Sequence, residues 1–124
     1  MNELRRSKLE SLVMHLLSKL ISMQDIKDYR VGTDVSVTAV KMSNDGAYAD
    51  VHVSSFQSAD HSIRGAEGLN CAAGFIRRKL APKLHLRKIP DFRFHPDHSF
   101  RIQMAMEKRL EGLTAGAGDK TEED

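Results

Sequence analysis

Leu69-Asn70-Cys71-Ala72-Ala73-Gly74-Phe75-Ile76-Arg77-Arg78-Lys79-Leu80 is the stretch on which the fold turns. Up to it, Ile63, Ala66, Leu69, Ala72 and Ala73 recur every three or four residues, which is a helical period. In its second half, Phe75 to Leu80 resumes a helix that carries three consecutive bases. Ala72-Ala73-Gly74 lies between, small and without a side-chain hydrogen bond to offer, and Gly74 marks the kink. Two helices joined at a bend follow from this. Gly65 and Gly68 weaken the first of them by about 1 kcal/mol each relative to Ala, so that helix leans on packing, its small residues admitting close approach to a sheet. Pro82 ends the second helix near Ala81 or bends it, because proline removes a backbone donor and crowds the carbonyl four residues back.

On the N-terminal side, Thr33 to Met42 is rich in Val and Thr, and Ala47 to Phe56 alternates, with Ala47, Ala49, Val51 and Val53 opposite Tyr48, Asp50 and His52. Ser43-Asn44-Asp45-Gly46 joins the two as a hairpin turn. The apolar phase of the first strand slips between Val37 and Val40, which fits either a bulge or burial of both faces. Gln57 to Ser62 is a short polar connection. Earlier still, Leu9, Leu12, Val13, Leu16, Leu17, Leu20 and Ile21 form the stripe of an amphipathic helix, capped by Asn2 or by Ser7 with Glu10 as a capping box.

On the C-terminal side, Pro90 opens a third strand with Phe92 and Phe94 inward and Arg93 outward. Residues 100–113 suit a helix through Ile102, Ala105, Met106, Leu110 and Leu113, although Phe100, Ile102, Met104 and Met106 also alternate as a strand would. The order is helix, strand, strand, helix, kink, helix, strand and C-terminal helix. The expected fold class is α+β, a three-stranded sheet packed on helices over residues 1–113, followed by a disordered acidic tail at 114–124.

A chain of 124 residues with 40% apolar side chains supports one core without disulfides or metals. Its single cysteine, Cys71, reads as a small buried residue and points to a reducing compartment, hence a cytoplasmic protein. Glu10, His15 and Lys19 interrupt the longest apolar pattern, which excludes a membrane span there.

The formal charge of +2 hides an asymmetry. Residues 114–124 carry a net −3, and Arg64 to Arg93 hold eight bases against two acids, a net +6. Such segregation points to a polyanionic partner, with nucleic acid ahead of membrane. Arg77, Arg78 and Lys79 fall within the first turn or so after the kink, and Arg5, Arg6 and Lys8 around the start of the first helix. Cations near the positive end of a helix are mildly unfavourable unless an anion joins them. Lys83, Arg87, Lys88 and Arg93 extend the first cluster. A solvated helix face of good helix formers has the same composition, and the sequence alone does not separate the two readings. Stacking aromatics are few, so phosphate and shape contacts outweigh base readout, which fits structured RNA.

His95, Asp97 and His98 are close in sequence, but Pro96 and the spacing suit a turn, and no third ligand is evident. No metal, cofactor or catalytic residue is assigned, and a metal-dependent hydrolase is the weakest alternative.

Three stretches taken together resemble the bacterial ribosome-binding factor A family: Val40 to Ser54, Leu69 to Leu80, and Leu86 to Phe94, in order and with similar spacing over about residues 5–110. The resemblance implies a type II KH-like domain whose interhelical Gly-x-x-Gly loop is replaced by an Ala-x-Gly kink, here Ala72, Ala73 and Gly74. It implies a non-enzymatic assembly factor that binds 16S rRNA and the free small (30S) subunit, supports late maturation and 16S rRNA 5′-end processing, and matters most in the cold; the chain is expected to act as a monomer. Arg77, Arg78, Lys79 and Lys83 are then the main phosphate contacts, with Arg5, Arg6, Lys8, Arg87 and Lys88 as a second group. Assembly GTPases are further candidate partners that the sequence does not identify. A general KH-type regulator of single-stranded RNA is the alternative.

Overall fold

The computed structural model describes residues 2–97. The helix expected over 100–113, the tail at 114–124, the boundary at 113 and His98 lie outside the described residues.

Helix α1 spans Glu3–Ser22 and is capped by Asn2, whose Oδ1 accepts from the Arg5 amide at 2.8 Å. The capping box at Ser7 does not form. Glu10 instead accepts from the Met42 amide at 2.8 Å and ties α1 to the first strand. Val13, Leu17 and Ile21 are the buried spine of the predicted stripe, while Leu12 is left at its exposed margin.

Strands β1 (Val35–Met42) and β2 (Tyr48–Ser55) pair antiparallel from Val35 opposite Ser55 to Met42 opposite Ala49. The register shifts between Val37 and Ala39, so the phase slip in the sequence is a bulge at Thr38. Gly46 takes φ 74° in the connecting turn, a conformation that glycine adopts without Cβ strain. The turn is tightened by Asp45, which accepts from the Ser43 hydroxyl and the Ala47 amide; these bonds hold its carboxyl below the usual carboxylate range.

Helix α2 runs Ala59–Cys71, beginning four residues before Ile63. Ser58 accepts from the His61 amide and starts the helix inside what reads as a polar connection. The buried face is also rotated from the expected one. Ser62, Gly65, Ala66, Gly68 and Leu69 face inward, and Ile63 is 39% exposed. A Cβ on Gly65 would stand 2.9 Å from Val35 Cγ2, and one on Gly68 2.9 Å from Val31 Cγ2, so both glycines admit the close approach their positions imply. Cys71 is exposed rather than buried, because it lies on the outer side of this rotated helix.

Helix α3, Ala73–Leu84, buries Ile76, Leu80 and Leu84. Pro82 does not end it near Ala81. It occupies the last turn, where only the bond to the Arg78 carbonyl is forfeited, and Leu84 remains buried beyond it. The helix stops at His85, which adopts the left-handed conformation (φ 54°, ψ 41°).

Strand β3, Asp91–Pro96, pairs parallel to β2, with Ala49 opposite Phe92 and Val51 opposite Phe94. Parallel neighbours need a long crossover, which α2 and α3 supply. The sheet order is β1-β2-β3, and the helices cover one face. Leu17, Val51, Leu69, Ile76, Leu80, Phe92 and Phe94 meet in one core, each such side chain contributing about 1.5–3 kcal/mol on burial. The architecture is α+β and is consistent with a KH-like domain.

Candidate nucleic-acid interface

The bend that presents the cationic helix is set at Ala72 (φ −92°, ψ 7°), which closes α2 and opens α3. Its amide donates to the Gly68 and Leu69 carbonyls, and its carbonyl accepts from Ile76. The kink is therefore two residues before Gly74, which lies inside the first turn of α3. A Cβ on Gly74 would be 3.7 Å from Arg78 Nη1, so the guanidinium lies back over that turn. The first turn of α3 has no acidic residue and no side-chain cap.

With the helix starting at Ala73, Arg77, Arg78 and Lys79 fall in its second turn rather than against its first amides. Successive residues are about 100° apart around a helix. The buried line through Ile76, Leu80 and Leu84 therefore leaves Arg78 at the crest, Lys79 and Lys83 on the α1 flank, and Arg77 on the β3 flank. All four are exposed on one side of the domain. Arg77 donates to the Ile89 carbonyl at 2.9 Å and lies 3.8 Å from Asp91. That ion pair is open to solvent on both sides and is worth little. Arg78, Lys79 and Lys83 form no ion pair with any carboxylate of the described residues. Lys79 Nζ lies 5.7 Å from the centre of the Phe75 ring.

Of the second group, Arg6 and Lys88 are near the β1–β2 turn, and acids are interleaved with them. Arg6 donates to the Asn44 side chain and lies 3.8 Å from Glu3. Lys88 is near enough to Asp45 to help lower its pKa. Arg5, Lys8 and Arg87 are exposed. Arg77, through Ile89, links this end to α3.

Arg93 does not extend the stripe. It lies on the face of the sheet that the described helices leave uncovered, where Nε and Nη2 donate to Asp50 at 3.0 and 3.1 Å and the guanidinium stacks 4.2 Å from the centre of the Tyr48 ring. His95 Nε2 approaches the same carboxylate at 2.9 Å. The Asp50 pKa is lowered, chiefly by the hydrogen bond from His95 and then by Arg93, against partial desolvation. His95 is thus occupied away from Asp97. Among the described residues no group of three His, Cys, Asp or Glu side chains could hold a metal, and no helix is long and apolar enough to cross a membrane.

On α3 the arrangement sets exposed cations side by side, with Asp91 the one described carboxylate within ion-pair distance of them, and such a surface suits electrostatic contact with an anion. The family profile for ribosome-binding factor A matches residues 5–110. Ribosome-binding factor A of Treponema denticola is 41% identical over 113 residues, 91% of this chain and 86% of the relative. That of Treponema pallidum is 38% identical over 121 residues, 98% and 95% of the two chains. The crystal structure of ribosome-binding factor A from Thermus thermophilus superposes with a TM-score of 0.63 at 26% identity, covering 73% of this chain and 93% of that one. A Thermotoga maritima protein solved by NMR, described as a candidate ribosome binding factor A, gives 0.65 at 36% identity, covering 77% and 90%.

Proposed function

Because this chain belongs to the ribosome-binding factor A family, we propose that it binds the free small ribosomal subunit through 16S rRNA, with the outer face of α3 as the main contact. The observation that carries this reading is the set of Arg78, Lys79 and Lys83, three exposed cations on one helix that no described carboxylate neutralises. Like-charged neighbours one turn apart, Lys79 and Lys83, are mildly destabilising in the free protein. A phosphate backbone turns that cost into binding energy and releases its own counterions. Arg77, Arg87 and Lys88 lengthen the contact, and Arg5 and Lys8 extend it past the hairpin turn.

The protein acts by binding alone. Holding an immature rRNA conformation, or denying a premature one, delays closure of the subunit until its parts are in place. On this reading it supports late maturation and 5′-end processing of 16S rRNA in the cytoplasm, acts as a monomer, and is most needed in the cold, where misfolded RNA helices rearrange slowly.

Gradient sedimentation of the full chain with purified 30S, 50S and 70S particles tests the reading. Co-migration with 30S particles, together with accumulation of 16S precursors carrying unprocessed 5′ ends in a depleted strain, is expected. Migration with 50S particles, or tight binding to short single strands without binding to any particle, overturns it.

A further inference from the structure

Between α1 and α3 runs a groove of about 260 Å³ whose floor is Leu16, Leu20 and Leu80 and whose rim carries Lys19, Lys79 and Lys83. The three lysines are exposed, and the groove has one acid, Asp25. Lys19 is 60 residues from Lys79 in sequence and belongs to an otherwise ordinary amphipathic helix. Packing of α1 against α3 brings it to the same groove. Its place in the last turn of α1 suits the helix dipole, which explains a cation there. It does not explain why three converge about a single carboxylate. None of them forms an ion pair with a described residue.

We infer that this groove is a phosphate-binding slot formed by both helices and that Lys19 is one of its RNA contacts, an inference that rests on the proposed role of the α3 face. Lys79 and Lys83 are neighbours one turn apart on α3, with Cβ atoms about 5–6 Å apart, and Lys19 faces them from the other wall. An extended backbone running along the groove then meets ammonium groups on both sides. The leucine floor offers a phosphate nothing, so the lysines carry the contact from the rim. An acidic protein segment has the right charge too, and Met23 and the leucine floor would give it apolar anchors, but Lys79 and Lys83 also belong to the α3 face proposed for RNA, which continues past the groove to Arg78. RNA is therefore the favoured occupant. Asp25 opposes binding in either case.

The test is the salt dependence of binding of the full chain to purified 30S subunits, using Lys19→Ala, Lys19→Arg and Asp25→Asn, with Arg78→Ala/Lys79→Ala as reference and polyglutamate as competitor. Losing one phosphate contact flattens the slope of log K against log salt by about 0.7–0.9, equivalent to about five- to eightfold weaker binding at 0.1 M salt. K19A is expected to show that loss, K19R to restore it, and D25N to tighten binding. If K19A keeps the wild-type slope while the reference variant loses its share, the slot is overturned and the α3 reading survives. If neither variant changes the slope, both fail. Polyglutamate binding that needs Lys19, alongside an unchanged RNA slope in K19A, overturns RNA as the occupant.

Discussion

The side-chain amide of Asn70 and the backbone of Phe94 exchange two hydrogen bonds, Nδ2 to the Phe94 carbonyl and the Phe94 amide to Oδ1, each 2.9 Å. Phe94 lies on β3, the edge strand, with β2 on its other side. Asn70 thus supplies the bonds that a further strand would make, and it does so two residues before the Ala72 bend. The sheet edge fixes the place from which α3 departs.

Asn70→Ala is expected to cost about 1–3 kcal/mol, since it leaves a partly buried donor and acceptor unsatisfied. For a domain of this size that lowers Tm by several degrees at least. Asn70→Asp keeps the acceptor but turns a carboxylate toward the Phe94 carbonyl, so it should be no better. Thermal unfolding of both variants checks this; a Tm unchanged in each would show that the edge is not held there.

Gly68→Ala and Gly65→Ala set helix propensity against contact. Alanine gains about 1 kcal/mol in a helix interior. At Gly68 the new Cβ would meet Val31 Cγ2 at 2.9 Å, Arg30 Cβ at 3.1 Å and Asp28 Oδ1 at 3.1 Å; at Gly65 the close contact is Val35 Cγ2 at 2.9 Å. Overpacking costs about 1–3 kcal/mol, so both variants should melt below wild type, Gly68→Ala further below. Denaturant titration gives the order directly, and a stabilised Gly68→Ala would contradict the close approach of α2.

Acid stability should depend on Asp28. Its carboxylate takes hydrogen bonds from Arg30 Nε, Nη2 and backbone amide at 3.0, 2.8 and 2.9 Å, and those bonds lower its pKa from 3.8 to about 2. Between these values the unfolded chain holds the proton and the folded one does not. The pair's contribution is therefore complete above about pH 4 and is lost as pH falls toward 2. Asp28→Asn should flatten the fall in urea midpoint across that window; a curve parallel to wild type would contradict the assignment.

Much of the fold was legible because it rests on local chemistry. The α1 stripe, the Asn44-Asp45-Gly46 turn, the alternation at Phe92 and Phe94, and the break between α2 and α3 are each specified within a few residues. What was not legible depends on contacts distant in sequence. Ile63 has the right spacing for a core residue, but the nearness of Val31 and Val35 selects the glycine face instead. Ile26 and Val31 are buried in an irregular segment where no period marks them. The basic residues of the candidate site can be picked out in the sequence, but the side of the domain on which each stands cannot. Arg93 turns to Asp50 on the sheet face away from the described helices, and Lys19 joins Lys79 only when α1 packs on α3.

Contact between the outer face of α3 and ribosomal phosphate, as proposed, is read from the salt dependence of 30S binding for Arg78→Ala/Lys79→Ala/Lys83→Ala, with Arg93→Ala as the control from the opposite face. At about 0.7 per single-strand phosphate lost, the triple variant should flatten the log–log slope by about 2 with its Tm near wild type, and Arg93→Ala should leave the slope alone. An unchanged slope in the triple variant, or an equal loss in the control, would show that this face of α3 does not meet RNA phosphate.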